Sequence, residues 1–533
     1  MAVIEDESAP PPAGAARAGA TPDWRLLLGR AYQPIVAARE RLGSPIAAAV
    51  GLGLCGLTLE VALLHWWLVP LSLSGHPGFP APGEDPLIWL LGDGDAGMIR
   101  FLRLLGAAFL PYLIALGIAQ RAAGRHALTI AVSGAFVLGL TMLAMFPAGA
   151  LDIFHNIMDG RLVWLYHINP IIYPPSVASG DSLFVYMHYW ADTRTAYGPL
   201  WFLATAPAYL VAGNSLTPNM VAYKALPFAF ELVSLGLIAL IAQRIDPRRT
   251  VAAVVCFGWN PLVLWEIAGN GHNDIVMMCF VLAALLLLLT KRWPFAFPLL
   301  ACSVMVKYVS IVLLPVFAVW VVLRHGRRAL VPLAAGLLGG LLVALVVTLP
   351  FWDGPRTLAP LFGQENHFIF SPASALIRQW GEDIPNTPWV LGVKHMLTFI
   401  FAALYLVALL RLSRSSAGLV LASIEVMFLL LVLMTWWFWP WYVVWGLALA
   451  ALVPSTAHSR LFVLFSATVM LVYVSSVWRL SLWNFNSFFP LAIGTALMVF
   501  LPPILYAVMH LLDTVPPALV SAGSESERDI GSP

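Results

Sequence analysis

The short stretch LDIFHNIMDGR, residues 151–161, brings several ionisable and amide side chains to the end of an apolar run. Four of them are spaced i, i+3, i+4 and i+7, which would place them on one face of a helix. They are Asp152, His155, Asn156 and Asp159. A carboxylate partly buried there would have a raised pKa and could accept a proton from a hydroxyl nucleophile. Ordinary polar residues at a membrane-surface helix end are the alternative, and spacing alone leaves both open.

A second polar group, Gly-His-Asn-Asp at 271–274, joins two apolar runs. A tight loop between helices needs glycine but does not need three polar residues, and polar residues at membrane depth are usually functional. His272 and Asn273 could therefore bond sugar hydroxyls or phosphate oxygens. Asp274 could do the same, or it could cap the helix that follows.

Lys307 is a lone cation within the apolar run SVMVKYVSIVLLP, residues 303–315. A charge inside a membrane helix costs at least about 2.5–3.5 kcal/mol on insertion scales. A bound phosphate would compensate for this cost, which favours a phosphate-binding role. Snorkelling of the ammonium group to the membrane surface is the alternative.

Three further stretches carry side chains suited to ligand contacts. Tyr197 stands beside a Gly-Pro turn, where its ring could stack on a sugar or belong to an interfacial aromatic belt. The amphipathic segment 361–380 contains His367 and Arg378, and it could lie on the membrane surface and close over a site. The aromatic segment TWWFWPWYVVW, residues 435–445, could be a belt or a lipid groove.

The composition is that of an integral membrane protein. Of the 533 residues, 60% are hydrophobic and 11% are charged, and the mean hydropathy is +0.84. Soluble domains average about a quarter charged residues, so a soluble enzyme is excluded. The net charge of +2 gives no case for a nucleic-acid partner. The four cysteines lie in apolar runs without paired spacing, and we interpret them as small core residues.

Apolar runs of membrane-spanning length recur along the chain. They predict an all-α, polytopic membrane protein of roughly 13–14 transmembrane helices, with amphipathic helices in external loops. A single transmembrane domain is expected at 46–512. A disordered cytoplasmic leader at 1–45 and a disordered cytoplasmic tail at 513–533 are expected to flank it.

The distribution of Lys and Arg predicts the orientation of the chain, since basic loops favour the cytoplasmic side. Both termini are therefore expected on the cytoplasmic side of the cell membrane. The loops 148–197 and 352–388 are expected outside, and Arg479 falls in a further external segment. Nearly all of the polar residues with possible chemistry then lie on the external face.

Counting membrane crossings makes two further demands. The number of crossings within 294–323 must be even, which predicts a hairpin of two short helices that turns near Lys307. The net number between 197 and 243 must be odd, although two apolar stretches lie there. One of these two stretches is therefore expected to enter the membrane and return.

In this order, the segments resemble the GT-C superfamily of integral-membrane glycosyltransferases, in particular the bacterial polyprenyl-phosphate-mannose-dependent α-mannosyltransferases. The resemblance runs from about residue 127 to 320, and the C-terminal half resembles the family only in its pattern of helices. The matching elements are Asp152 after an apolar helix, Gly-Arg-Leu (160–162), Asn-Pro (169–170), Tyr-Gly-Pro-Leu (197–200), Asn-Pro-Leu-Val (260–263), Gly-His-Asn-Asp (271–274) and the Lys307 segment.

The resemblance implies an inverting hexosyltransferase, with Asp152 as the catalytic base. It would move a hexose, most often mannose, from a polyprenyl-phosphate donor to a lipid-linked or glycan acceptor at the external face. We expect the donor phosphate to contact Lys307, His272, Arg378 and Arg479. We expect the sugar or the acceptor to contact His155, Asn156, Asp159, Tyr197, Asn273, Asp274 and His367.

The chain departs from the family's pattern directly after Asp152. The family usually continues with an aromatic residue, a serine and a tyrosine, whereas here Ile-Phe-His-Asn follows. His155 and Asn156 therefore bear on the sugar or acceptor specificity. No cofactor and no metal site are expected, although Asp93 and Asp95 in Gly-Asp-Gly-Asp leave a divalent metal open.

A secondary transporter or lipid flippase is the alternative class of protein. Intramembrane polar groups and broken helices also occur in carriers. A carrier would be expected to have an internal repeat and polar residues near mid-membrane. The sequence has no convincing repeat, and its polar residues gather on one face, which favours an enzyme whose partners are lipids and glycans.

Overall fold

The computed structural model describes residues 45–73, 85–149, 151–187, 190–290, 292–361, 368–379, 387–478 and 488–511. Helices dominate these residues, and their β pairings are isolated bridges. The all-α prediction is therefore confirmed. The expectations for 1–44 and 512–533 lie outside the described residues.

The helices of the N-terminal half are α1 (Pro45–Ala62), α2 (Pro86–Leu91), α3 (Gly94–Ala119), α4 (Arg125–Leu143), α5 (Asp152–Trp164), α6 (Pro199–Ala204), α7 (Ala206–Ala212) and α8 (Leu216–Ile245). The others are α9 (Thr250–Gly258), α10 (Pro261–Val263), α11 (Asp274–Leu288), α12 (Ala296–Val306), α13 (Leu313–His325), α14 (Leu330–Thr348), α15 (Pro372–Gln379), α16 (Pro388–Leu410), α17 (Ser416–Leu433), α18 (Val443–Ala450), α19 (Ala457–Thr468), α20 (Leu471–Trp478) and α21 (Phe488–Leu511).

Many of these helices could cross a membrane. In the described ranges, nine helical stretches are long and apolar enough, or ten if the bent pair Pro247–Gly258 and Pro261–Gly269 counts as one span. Four shorter apolar helices join them. A polytopic membrane protein is thus confirmed, and the total of 13–14 membrane-spanning helices stays a prediction.

The interior of the bundle is the segment 250–279, in which every residue is buried. It comprises α9, α10 with the π-helical turn Leu264–Gly269, the Gly-His-Asn-Asp loop and the first residues of α11. Asn260 caps α10 by accepting from the Leu262 backbone N–H at 2.9 Å. The Asn260 amide also donates to Ser466 Oγ at 2.9 Å, so the beginning of α10 is tied to α19.

The segment after α11 folds back on itself, as the sequence predicts. Lys307 is in an extended conformation (φ −149°, ψ 117°) between α12 and the helical turn that leads into α13. The rings of Trp293, before α12, and His325, at the end of α13, stack with their centroids 5.2 Å apart. The two ends of the segment therefore meet, and Lys307 lies at the turn of a hairpin.

The region 197–245 contains one long helix and two short ones. Helix α8 has 30 residues and is a candidate span, whereas Pro199–Ala212, which covers α6 and α7, is among the shorter apolar helices. Gly213, directly after α7, has a positive φ of 62° and allows the chain to turn into α8. This arrangement fits the single net crossing that the sequence predicts.

A buried lysine in α8 holds the end of α4. Lys224 Nζ donates to the carbonyl oxygens of Met142 at 3.0 Å and Leu143 at 2.9 Å, and also to that of Met145. A cation at a helix C-terminus satisfies the unpaired carbonyls and the negative end of the helix dipole. The chain that leaves α4 towards α5 is thereby held at a defined point.

Two glycines allow α14 to pack closely on the first arm of the hairpin. A Cβ added at Gly336 would lie 2.6 Å from the Pro294 carbonyl oxygen, and one at Gly340 would lie 3.0 Å from that of Phe297. Small residues four positions apart are a common means of close helix packing in membranes. This contact supports α12 and hence the position of the hairpin turn.

We expect Gly336→Leu to lower the thermal midpoint of the detergent-purified protein, because overpacking typically costs about 1–3 kcal/mol. Gly106→Leu is the matched control, since Gly106 is exposed on α3 and a Cβ there meets no atom within 4 Å. Thermal unfolding followed by circular dichroism measures both variants. Equal midpoints would show that the packing of α14 on α12 does not depend on Gly336.

Candidate functional site

Asp152 is the first residue of α5, and its carboxylate is half-buried. The Tyr197 hydroxyl donates to Asp152 Oδ2 at 3.3 Å. Tyr197 belongs to the loop before α6 and is itself buried. The contact therefore brings the beginning of α5 and the loop before α6 to the same point.

Gly198 explains how Tyr197 reaches the hairpin. Its backbone N–H donates to the Val306 carbonyl oxygen at 3.0 Å. A Cβ at this position would lie 2.2 Å from the Met305 carbonyl oxygen. Only glycine permits this approach, which places the Tyr197 ring beside the hairpin turn.

Lys307 and Asp274 form a buried ion pair. Lys307 Nζ donates to Asp274 Oδ1 at 2.8 Å, and the two side chains are 13% and 0% exposed. The Trp445 indole N–H donates to the same carboxylate oxygen. Asp274 is thus not a helix cap, one of its two predicted roles, but the counter-ion of the hairpin lysine.

Three aromatic rings surround the ammonium group of Lys307. Its Nζ lies 5.3 Å from the ring centroid of Tyr197, 5.2 Å from that of Tyr442 and 5.7 Å from that of Trp445. Such distances allow cation–π attraction. Of the three ammonium protons, one is used by Asp274, so the others remain available to a further acceptor.

The carboxylate of Glu266 holds His272 in place. Its Nδ1 lies 3.0 Å from Glu266 Oε2 and 3.1 Å from the Glu266 carbonyl oxygen. Tyr473 donates to the other oxygen of Glu266 at 2.8 Å. The imidazole also stacks on Trp441, with centroids 3.9 Å apart and planes at 18°. Its Nε2 is thereby fixed in direction.

The Gly-His-Asn-Asp loop contains four buried polar atoms without a hydrogen-bond partner in the described part of the chain. They are Nε2 of His272, both amide atoms of Asn273 and Oδ2 of Asp274. Buried polar atoms are normally paired, so orphan atoms beside a cation indicate a place where a polar ligand binds. Sugar hydroxyls and phosphate oxygens are suitable partners.

A second polar group lies further along α5. His155 Nε2 is 3.5 Å from Asp159 Oδ1, and the Trp201 indole N–H donates to Asn156 Oδ1 at 3.0 Å. Burial lowers the pKa of His155 to about 4 and raises the pKa of Asp159 well above its usual value. Both shifts favour neutral side chains, which suit hydrogen bonds to uncharged hydroxyl groups.

The charges at the site act on Asp152 in opposite directions. Burial raises the pKa of Asp152, while the positive charges of His272 and Lys307 and the hydrogen bond from Tyr197 oppose this shift. For His272, burial alone would lower the pKa, but the hydrogen bond and charge of Glu266 outweigh it and raise the pKa. A carboxylate with a raised pKa is a stronger base than an exposed one.

Three residues that the sequence singled out cannot be placed relative to the site, and Asp93 has a structural role. His367 and Arg479 are outside the described residues, as is the side chain of Arg378 in α15. Asp93 Oδ1 accepts from the backbone N–H of Gly94 and caps α3. The absence of a metal stays a prediction.

Sequence reasoning missed Glu266 and treated Tyr442 and Trp445 as part of an undecided aromatic segment. Glu266 stands three residues before the Gly-Asn-Gly-His motif, and an acidic residue in an apolar run was an available signal. Tyr442 and Trp445 had no such signal, because interfacial aromatic residues are common in membrane proteins.

Parts of the chain are similar to known proteins. Residues 84–324 match the family model described as "Alpha-(1->6)-mannopyranosyltransferase, N-terminal domain". The chain is 30% identical over 179 residues to alpha-(1->6)-mannopyranosyltransferase A of Corynebacterium glutamicum, an alignment that covers 34% of this chain and 36% of the relative. It is 25% identical over 360 residues to the protein of the same name from Mycobacterium tuberculosis, covering 63% and 68%.

The resemblance to bacterial GT-C-like membrane mannosyltransferases that the motifs indicate is thereby confirmed. The chain matches only about a third of the length of the first of these relatives. The matched region contains Asp152, Tyr197, His272, Asp274 and Lys307, the residues that meet at the site.

We expect the Lys307–Asp274 pair to behave as one unit in a double-mutant cycle. Lys307→Met leaves the buried Asp274 charge without a partner, and breaking such a pair typically costs about 3–5 kcal/mol. Asp274→Asn likewise isolates Lys307. The double variant should be more stable than Lys307→Met alone, as measured by thermal midpoints in detergent. Additive losses would show that the two side chains are not coupled.

Proposed function

We propose that this protein is a mannosyltransferase of the membrane that uses a polyprenyl-phosphate-linked mannose as donor and a lipid-linked or glycan hydroxyl as acceptor. One observation carries the proposal: Tyr197 contacts Asp152 with its hydroxyl while its ring lies 5.3 Å from Lys307 Nζ. The proposed base, Asp152, thus lies at the hydroxyl of Tyr197, and the proposed phosphate-binding cation, Lys307, lies at its ring. A glycosyl phosphate attacked by a hydroxyl needs both groups.

The reaction follows from these positions. Asp152 accepts the proton of the acceptor hydroxyl, and the oxygen attacks the anomeric carbon of the donor. The bond between that carbon and the phosphate oxygen breaks with inversion, so a β-linked donor yields an α-linked product. Lys307, together with His272, stabilises the phosphate that leaves. A phosphate monoester is a good leaving group and requires no proton from the protein.

The basic residues support an external site. The site lies at one end of the bundle, where α5 and α11 begin. The basic loops lie at the opposite ends of the helices, where Arg249 contacts Gln120 and Arg324 donates to the Arg414 carbonyl oxygen at 2.8 Å. Since basic loops favour the cytoplasm, the site faces the outside. A donor made inside would therefore arrive already flipped, with its lipid tail between helices.

The names of the similar proteins support a transferase over a carrier. Both curated relatives are mannopyranosyltransferases. Formation of a new glycosidic bond distinguishes a transferase from the transporter alternative, since a carrier or flippase would move the lipid-linked sugar without forming one.

We expect Asp152→Asn to reduce transfer from radiolabelled polyprenyl-phosphate-mannose to membrane acceptors by about 10²-fold or more, because general-base catalysis typically contributes 10²–10⁴-fold. Binding of the donor should persist. Asp246→Asn is the matched control, since Asp246 is a half-buried carboxylate in the basic loop after α8. Wild-type turnover by Asp152→Asn would overturn the assignment of the base. Transport of the donor without glycoside formation would overturn the transferase.

We expect the pH profile of kcat/KM to show an acidic limb above the usual titration range of an aspartate, because burial raises the pKa of Asp152. The base works when deprotonated, so activity falls as the pH falls through this pKa. His272→Gln removes a positive charge that lowers the pKa of Asp152, and the limb should shift to higher pH.

His126→Gln is the control for this profile, since His126 is exposed in the first turn of α4, at the other end of the bundle. A limb that stays in place in His272→Gln would show that the limb reports a group other than Asp152. A simple loss of kcat leaves the position of the limb unchanged and is therefore distinguishable from the expected shift.

A further inference from the structure

Four tryptophans, which we call the tryptophan ladder, lead to the site: Trp190, Trp437, Trp439 and Trp441. We propose that this ladder binds the acceptor glycan behind the sugar whose hydroxyl reacts. The inference rests on the proposed function, which requires a carbohydrate acceptor. Neither the sequence motifs nor the similar proteins assign a role to these residues.

The rings of the ladder touch one another in sequence. The centroids of Trp190 and Trp437 are 6.1 Å apart, those of Trp437 and Trp439 are 5.8 Å apart, and those of Trp439 and Trp441 are 5.1 Å apart. The last two planes are nearly parallel, at 6°. Each step is comparable to the length of one linked pyranose unit, so consecutive sugars could meet consecutive rings.

The ladder ends at the proposed reaction centre. Trp441 is 3% exposed and stacks on His272 with centroids 3.9 Å apart. The other three tryptophans are half-buried. Asp274, two residues after His272, pairs with Lys307, which lies 5.3 Å from the ring centroid of Tyr197. The Tyr197 hydroxyl donates to Asp152, so the inner end of the ladder adjoins the site that contains the proposed base. A glycan on the ladder would therefore present its terminal hydroxyl to Asp152.

The outer part of the ladder is held by backbone contacts. The N–H of Ile369 donates to the Trp436 carbonyl oxygen at 3.0 Å, and the N–H of Phe438 donates to the Ile369 carbonyl oxygen at 3.1 Å. The Phe370 ring packs edge-on against Trp439 with centroids 5.2 Å apart. Rings that are fixed before binding lose little conformational entropy on contact with a ligand.

The position of the ladder favours a glycan over the isoprenoid tail of the donor. Helix α17 ends at Leu433, so Trp437 and Trp439 follow the end of a candidate membrane span. Trp437 forms β-bridges with Ile369 and Phe370, in a loop expected outside the membrane. The tail, by contrast, belongs between helices in the bilayer. Aromatic faces attract the C–H groups of sugars, since the face of the ring is electron-rich.

The rings of an ordinary aromatic belt sit separately at the lipid interface. Here the rings pack on one another, and the innermost ring is buried against His272. An experiment must therefore distinguish a glycan-binding ladder from an interfacial aromatic belt.

The test measures binding of α-(1→6)-linked mannotetraose and of methyl α-mannoside to the purified full chain by calorimetry. We expect Trp437→Ala to raise the Kd for the tetraose about tenfold, and the Kd for the monosaccharide much less. Trp190→Ala, in a different loop, should act in the same direction if Trp437→Ala fails to fold. Trp352→Ala is the matched control, because Trp352 is 55% exposed just after α14.

Equal tetraose affinities in wild type, Trp437→Ala, Trp190→Ala and Trp352→Ala would overturn the ladder, as would a wild-type protein that does not bind the tetraose. A loss of affinity for polyprenyl-phosphate-mannose alone would assign the rings to the lipid and also overturn it. If the wild type binds the tetraose through the ladder but forms no glycoside, the proposed transferase fails and the glycan site stands. If the wild type transfers mannose and Trp437→Ala leaves tetraose binding unchanged, the proposed transferase stands and the glycan site fails.

Discussion

The arrangement of the site depends on one buried ion pair, between Lys307 at a hairpin turn and Asp274 at the first residue of α11. Neither charge could be buried alone at acceptable cost, so the pair fixes the hairpin turn against the start of α11. The 2.8 Å contact leaves ammonium protons free while the positive charge is partly balanced. The same pair orders the aromatic rings of Tyr197, Tyr442 and Trp445 around the ammonium group. A phosphate would thus meet a cation that is already oriented.

Asp152 and Lys307, the proposed base and the proposed phosphate-binding cation, are positioned by parts of the fold with no role in the proposed reaction. Lys224 secures the end of α4, from which the chain leads to Asp152. Glu266 orients His272, and the fully buried segment 250–279 gives this loop a rigid support. Preorganised groups on rigid elements are effective because little reorganisation accompanies the reaction. Gly198 completes the arrangement, since only its missing side chain lets Tyr197 approach the hairpin.

Much of this organisation could be predicted from patterns along the chain. The spacing of polar residues after Asp152 is that of one helix face, and α5 begins at Asp152. The alternation of basic loops predicted a turn near Lys307, and the chain turns there. The sequence left Asp274 between helix cap and ligand contact, whereas it pairs with Lys307. It also left the aromatic segment 435–445 undecided, although Trp445 donates to Asp274 and Trp441 stacks on His272.

The sequence by itself determined the class of protein, the all-α architecture and the polar residue types that interrupt the apolar runs. These follow from the length of apolar runs and the placement of charges, which are local properties of a chain in a bilayer. The tertiary structure alone decided which side chains are partners. Trp445 and Asp274 are 171 residues apart, and Tyr473 and Glu266 are 207 apart. Such contacts depend on how helices pack, and packing depends on the shapes of many side chains together, which no local pattern records.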